Sequence, residues 1–229
     1  MSTEIPPGGR KPGGAETLQI LATEHWSMLA TRALTYNEAL SRVTIFLAIL
    51  SGALIALALV AQADHFGAIF IWIAIPMLVL VMFTGLATIS RLMALNRDDY
   101  RWVIAMNRLR HGYLGLHPEL EPFFTASAYD DLPGALQTLG IDDVAAGRRL
   151  GSVFHVPQTL PGMLTAIVAA VAGAIGALAA LAIAVPARAI GMAAAAAFVV
   201  ALVLMGIWGR RSIKSFPPSL QPRFPSPHR

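Results

Sequence analysis

Four stretches of this chain contain no Asp, Glu, Lys or Arg: Val43 to Ala63, His65 to Ser90, Gly151 to Ala187, and Ala189 to Gly209. A bilayer core about 30 Å thick is crossed by roughly 20 helical residues at about 1.5 Å each. Each stretch can hold one such helix, and we place spans near Val43 to Ala61, Phe66 to Ile89, Pro161 to Val185 and Ala189 to Trp208. Composition agrees, since 56% of the 229 residues are hydrophobic and only 13% charged. Ordinary soluble domains are roughly 45 to 50% apolar and about 25% charged. The expected fold class is therefore all-α: a polytopic integral membrane protein with four transmembrane helices in two hairpins, accompanied by cytoplasmic amphipathic helices.

The linkers set the topology. Only Gln62, Asp64, His65 and small neighbours separate the first two spans, and only Pro186, Ala187 and Arg188 separate the last two, so both pairs are tight antiparallel hairpins. Sixteen Lys and Arg lie outside the hairpin turns and one, Arg188, lies in them. By the positive-inside rule both termini and the central region face the cytoplasm. The Pro- and Gly-rich start does not read as a signal peptide, so the first span is expected to be a retained anchor. Fifteen of the 17 basic residues are Arg, and Ala and Gly are abundant, a composition that points to a bacterial source and thus to the inner (plasma) membrane.

Six segments follow: a disordered tail over 1–15, a cytoplasmic amphipathic helix over 16–42, hairpin 1 over 43–89, a cytoplasmic helical region and loop over 90–159, hairpin 2 over 160–209, and a basic Pro-rich tail over 210–229. Leu18, Ala22, His25, Leu29, Ala33, Tyr36 and Leu40 recur at three- or four-residue steps, as on one helix face. Leu95, Trp102, Met106 and Leu109 form a second apolar stripe among charges. No helix breaker follows the second span until Gly112, so that helix extends well into the cytoplasm, with the Leu18 to Leu40 face as its partner. Asp131 before Leu132-Pro133 reads as an N-cap for a short helix to about Leu139, and Ile141 to Leu150 as another.

Packing surfaces are legible in small residues. Ala169, Gly173 and Ala177 recur at four-residue spacing, as do Ala172, Gly176 and Ala180, and Ala48, Gly52 and Ala56 repeat the pattern in the first span. Small residues at that spacing let helix backbones approach closely, within one chain or between copies. Pro76 removes an intrahelical bond and is a candidate kink in the second span. The hydroxyls of Thr44, Ser51, Thr84 and Thr88 either line a pore or bond their own helix carbonyls.

Chemical motifs point away from catalysis. Cysteine is absent, which excludes thiolate nucleophiles and zinc-thiolate sites. No Asp, Glu, Lys or Arg lies within a span, where ion-coupled transporters keep ionisable residues. His111, His117, Glu119, Glu121, Asp130, Asp131 and His155 lack metal-site spacing. No catalytic, cofactor-binding or metal-binding residue is assigned, and no cofactor is expected. The net charge of +4 fits anionic lipid headgroups better than nucleic acid. Arg97, Arg101 and Arg108 are candidates for binding a cytoplasmic protein partner. Pro222 and Pro225 make one PxxP, the pattern of polyproline II ligands, although a plain solvated tail is the expectation here.

An amphipathic helix, a transmembrane hairpin and a long cytosolic helix make a layout that resembles the SLATT-type two-span effectors of bacterial conflict systems, over about Leu18 to His111. That resemblance implies membrane perforation on a trigger. The second hairpin departs from it, so no functional residues are carried over. The stretch Asn96-Arg97-Asp98-Asp99-Tyr100-Arg101, followed by Arg108, Arg110, His111 and Tyr113, also resembles uncharacterised bacterial four-span proteins. The expected function is a non-enzymatic homo-oligomer in the lipid bilayer, acting as a pore-forming or gated channel-like effector. The alternative is a membrane-anchored scaffold or accessory subunit that docks a cytoplasmic partner.

Overall fold

A computed structural model describes residues 13–140, 159–214 and 221–227. Its elements are α1 (Gly14–Asp64), α2 (Ala68–Leu116), a 3-10 turn (Pro118–Phe123), α3 (Leu132–Thr138), α4 (Leu160–Ala182) and α5 (Ala187–Lys214). Among the described residues there is no strand. The protein is all-α and polytopic, with four helices long and apolar enough to cross a membrane. The described residues divide into two compact units: a membrane unit of 34–99 and 159–214, which carries the four apolar spans, and an extramembrane unit of 13–33, 100–140 and 221–227.

Several boundaries differ from expectation. Of the tail expected over 1–15, residues 1–12 lie outside the described residues, and α1 already begins at Gly14 and runs without a break through the first span. α2 passes the expected break at Gly112 and continues to Leu116. Glycine in a helix costs about 1 kcal/mol against alanine, but Gly112 faces Leu21, where an added Cβ would meet Leu21 Cδ1 at 3.3 Å. The helix stops before His117-Pro118, because proline disfavours helical backbone in the residue ahead of it. α2 also runs through Pro76 as one helix. The helix expected over Ile141 to Leu150 lies outside the described residues, as does His155.

The turn from α1 to α2 is tight because Asp64 serves both helices. Its carbonyl accepts from Gly67 N at 2.8 Å, and its Oδ2 accepts from Phe70 N at 2.7 Å. His65 and Phe66 between them adopt positive φ. At the start of α4, Thr159 caps by accepting from Gly162 N at 3.2 Å, with Pro161 in the first turn, where no N–H is needed. The second hairpin turns at Ala184, whose N bonds Leu181 O at 3.0 Å.

The core of the membrane unit gathers Phe46 from α1, Ala74, Leu78, Val81 and Ile89 from α2, and Leu164, Val168 and Ala169 from α4. Gly85 marks the closest approach. A Cβ added there would lie 2.4 Å from Val168 Cγ2 and 3.0 Å from Phe46 Cε2, so three helices meet where only a hydrogen fits. α4 and α5 pack by the same device. A Cβ at Gly173 would sit 3.1 Å from Ala194 O, and one at Gly176 would sit 2.8 Å from Ala197 Cβ and 2.9 Å from Ala193 O.

Beside the spans, Glu38 of α1 clamps two arginines. Its Oε1 accepts from Arg42 Nε at 2.8 Å and Arg91 Nε at 2.9 Å, and its Oε2 accepts from Arg91 Nη2 at 3.1 Å. The bond from Arg91, then that from Arg42, holds the Glu38 carboxyl at about 2, against an ordinary 4.5. A depressed carboxyl pKa contributes stability above the unfolded value and loses it as pH falls toward the folded one. Acidification from pH 4.5 toward 2 is therefore expected to narrow the difference in thermal midpoint between wild type and Glu38→Gln. The effect is small because the group is exposed to solvent. Melting curves in detergent across that window check this, and a gap that widened on acidification would refute it.

Candidate functional site

The extramembrane unit holds the polar groups with most structure around them. Its apolar centre is Val103, Ile104 and Met106 of α2 and Ala135 of α3, with Met28 of α1 packed against them. Leu21 lies against Gly112, and the His25 ring stacks on Tyr113 at 5.9 Å, which in turn stacks on Phe124 at 6.4 Å. α1 is thus the partner of α2, but through Leu21, His25 and Met28. Of the face expected from Leu18 to Leu40 only His25 makes this contact, and Leu18, Leu29, Tyr36 and Leu40 are exposed, which corrects the expected packing face. Burial and then the nearby Arg110 charge push the His25 pKa down.

On the same stretch of α2, Asn107 is fully buried. Its Nδ2 donates to Tyr129 O at 2.8 Å and Gly134 O at 3.2 Å. Its Oδ1 accepts from Arg110 Nη1 at 2.6 Å and Thr138 Oγ1 at 2.9 Å. The Thr138 hydroxyl accepts in turn from Ser127 N at 3.1 Å. One amide therefore joins α2 to the loop at Ser127–Tyr129 and to α3. The loop comes close enough that only glycine fits at 134, since a Cβ there would be 2.3 Å from Tyr129 O.

Next to it stand two carboxylates. Asp131 caps α3 as expected, its Oδ1 accepting from Gly134 N at 2.9 Å, and the helix ends at Thr138. Its Oδ2 accepts from Ser226 N at 2.7 Å and from the Ser226 hydroxyl. Asp130 is buried. Its Oδ2 accepts from Arg108 Nε at 2.6 Å and Arg223 N at 2.8 Å, and its Oδ1 accepts from Phe224 N at 2.7 Å. Its own N–H donates to Phe224 O at 3.1 Å. Burial pushes the Asp130 carboxyl up, but the bonds from Arg223 N, Arg108 and Phe224 N outweigh it and hold the pKa below its ordinary value. Arg108 also donates to Gln221 O at 3.0 Å, and the Phe224 ring stacks on His111 with centroids 4.0 Å apart.

Residues 221–227 are thus held against the extramembrane unit, which corrects the expectation of a plain solvated tail for that part of 210–229. The carboxylates, Arg108 and His111 supply acceptors, a donor and a ring, all of which the tail engages.

The other candidate residues fall as follows. Arg108 lies in this seam, tied to Asp130 and Gln221. Arg97 and Arg101 lie on α2, and each already interacts with another group of the chain. Ala169, Gly173, Gly176 and Ala177 are on α4, where both glycines face α5 within the chain. Gly52 differs: nothing lies within 4 Å of a Cβ built there. The hydroxyls of Thr44, Thr84 and Thr88 bond Leu40 O, Val81 O and Thr84 O of their own helices, so they follow the self-bonding alternative. His117 Nδ1 and Glu119 Oε1 are 2.9 Å apart on an exposed turn, and no group of three metal-ligating side chains occurs among the described residues. Sequence reasoning missed Gly85 and Asn107. The available signal for Asn107 was a polar residue four places after Val103, on the buried stripe.

These features define a polytopic helical membrane protein with an extramembrane unit that holds an extended peptide segment. The chain matches no protein-family model, no curated protein and no solved structure.

Proposed function

We propose that this is a non-enzymatic membrane protein whose copies associate along α1 and act as a gated, channel-like effector, with both termini and the extramembrane unit in the cytoplasm. The observation that carries this is the contrast among glycines. At Gly85, Gly173 and Gly176 small size serves contacts inside the chain, whereas Gly52, Gly191 and Gly206 face open space. Lipid chains do not require a notch in a helix, but a second helix does, because close backbone approach is how membrane helices gain packing. Ala48, Ser51 and Gly52 lie together on an exposed face of α1. The last span is also mostly uncovered, with 6% of its apolar window buried within the chain, so its outer face is open to lipid or to another copy. The asymmetry of basic residues supports the orientation, and the layout from Leu18 to His111 supports an effector like the SLATT-type proteins. Asn107 has its hydrogen-bonding capacity taken up within the chain, which supports a structural role for it.

The absence of cysteine makes the test direct. Ala48→Cys in membranes, treated with a mild oxidant, is expected to give a covalent dimer, and adding Gly52→Leu should abolish it. Liposomes carrying the wild type should pass ions, and Gly52→Leu should lower the flux at least about tenfold, the factor of a 1.4 kcal/mol loss in association. An Ala48→Cys chain that stays monomeric sinks the interface. Cross-linking without flux would favour the second reading, a membrane-anchored scaffold for a cytoplasmic protein, which the peptide seam on the extramembrane unit supports independently.

A further inference from the structure

We infer that the seam formed by Arg108, His111, Asp130 and Asp131 is an exchangeable binding site for an extended, proline-flanked peptide of the type Pro-Arg-Phe-Pro-Ser-Pro, and that residues 221–227 are its resident ligand. The pattern of donors in the segment supports this. Between Pro222 and Pro227 the backbone has three N–H groups, on Arg223, Phe224 and Ser226. All three are accepted by the two carboxylates, at 2.8, 2.7 and 2.7 Å. The prolines stand where no acceptor is offered, and each fixes φ, so less chain entropy is lost on binding. Arg108 reads the Gln221 carbonyl, and the Asp130 N–H reads the Phe224 carbonyl. Main-chain bonds of this kind give affinity to an extended peptide, and side-chain contacts give selectivity. Here selectivity comes from the Phe224 ring on His111 and the Ser226 hydroxyl on Asp131.

Exchange follows from how the segment is held. Pro222, Arg223, Phe224, Pro225 and Pro227 are all exposed, so polar contacts and one ring stack keep it in place, not engulfment. Such contacts re-form with water or with a second peptide at little net loss. The covalent link to the rest of the chain gives the resident segment a high effective concentration, so an incoming peptide must compete with it. The seam is therefore self-occupied at rest.

The test uses the full chain in detergent with two tail substitutions, Phe224→Ala and Ser226→Ala, which weaken the resident ligand and leave the seam intact. A fluorescein-labelled peptide of residues 221–227 is titrated and read by anisotropy. Saturable binding is expected to this chain and at least about tenfold weaker binding to the wild type, whose own tail competes. The same peptide with alanine at the Phe224 position should lose most of its binding, a comparison that changes only the ligand and so does not depend on a variant's folding. No saturable binding to the tail-weakened chain overturns the site, and so does equal binding of the two peptides. Equal binding to wild-type and tail-weakened chains overturns the resident role.

Discussion

Replacing Gly85 with leucine is expected to destroy the packing of the membrane unit and to lower its thermal midpoint in detergent more than any other single change in a span. A Cβ at this position would already lie 2.4 Å from Val168 Cγ2, closer than carbon atoms tolerate. The neighbours cannot yield cheaply, since Val168 and Phe46 are each 1% exposed and a β-branched valine has few rotamers to escape into. Over-packing of a tight core typically costs about 1–3 kcal/mol, and leucine adds three carbons beyond the Cβ that already clashes. Gly85→Ala gains up to about 1 kcal/mol of helix propensity. The contact is too short for that gain to prevail, so alanine too is expected to destabilise. Gly173→Leu should act in the same direction, because the Ala194 carbonyl it would strike is backbone. Gly52→Leu, with open space around it within the chain, should keep the packing of the membrane unit and lower the midpoint far less than Gly85→Leu. Melting curves of the four variants decide this, and a Gly85→Leu chain as stable as Gly52→Leu would contradict the three-helix crossing.

That ordering of glycines could not have been drawn from the sequence. Freedom from charge over some twenty residues is a one-dimensional property, which is why the four spans and the tight turns were legible. So was the cap at Asp131, a local matter of an acid before Leu-Pro. Gly85 stands alone among bulky neighbours, and its need for a hydrogen comes from Phe46 and Val168, residues far off in the chain whose proximity only the fold creates. The stripes of Ala169, Gly173 and Ala177 and of Ala172, Gly176 and Ala180 announced close packing but not the partner, which for Gly173 and Gly176 is α5 of the same chain. The C-terminal prolines were visible as a pattern. What seats them is Asp131 acting twice, one oxygen on α3 and the other on Ser226, beside an Asp130 whose partners lie mostly in the tail. A pair of acids next to a helix start is explained by capping alone, so nothing in the sequence called for a second role.

Asn107 concentrates the same difficulty in one side chain, and Asn107→Leu is expected to loosen the extramembrane unit while leaving the membrane unit intact. Leucine has the same branching and number of side-chain heavy atoms as asparagine, but it is bulkier and makes none of its four bonds. The Tyr129 and Gly134 carbonyls would lose a shared donor, and Arg110 and Thr138 would lose an acceptor. A buried polar group left unsatisfied costs about 1–3 kcal/mol, and several such losses in one network make this the largest expected effect outside the spans. Asn107→Asp separates the parts. A carboxylate still accepts from Arg110 and Thr138, but it donates nothing and faces two carbonyl oxygens, so α3 and the loop should loosen while the contact with Arg110 persists. Hydrogen exchange read by mass spectrometry follows both variants. Amides from Ser127 to Thr138 should exchange faster, and those of Val43 to Ala61 should not change. Because Asp130 and Asp131 sit between Tyr129 and Gly134, loss of Asn107 should also free the tail, seen as faster tryptic cleavage after Arg223. Increased exchange in the loop with unchanged cleavage would mean that the carboxylates hold the tail without help from Asn107.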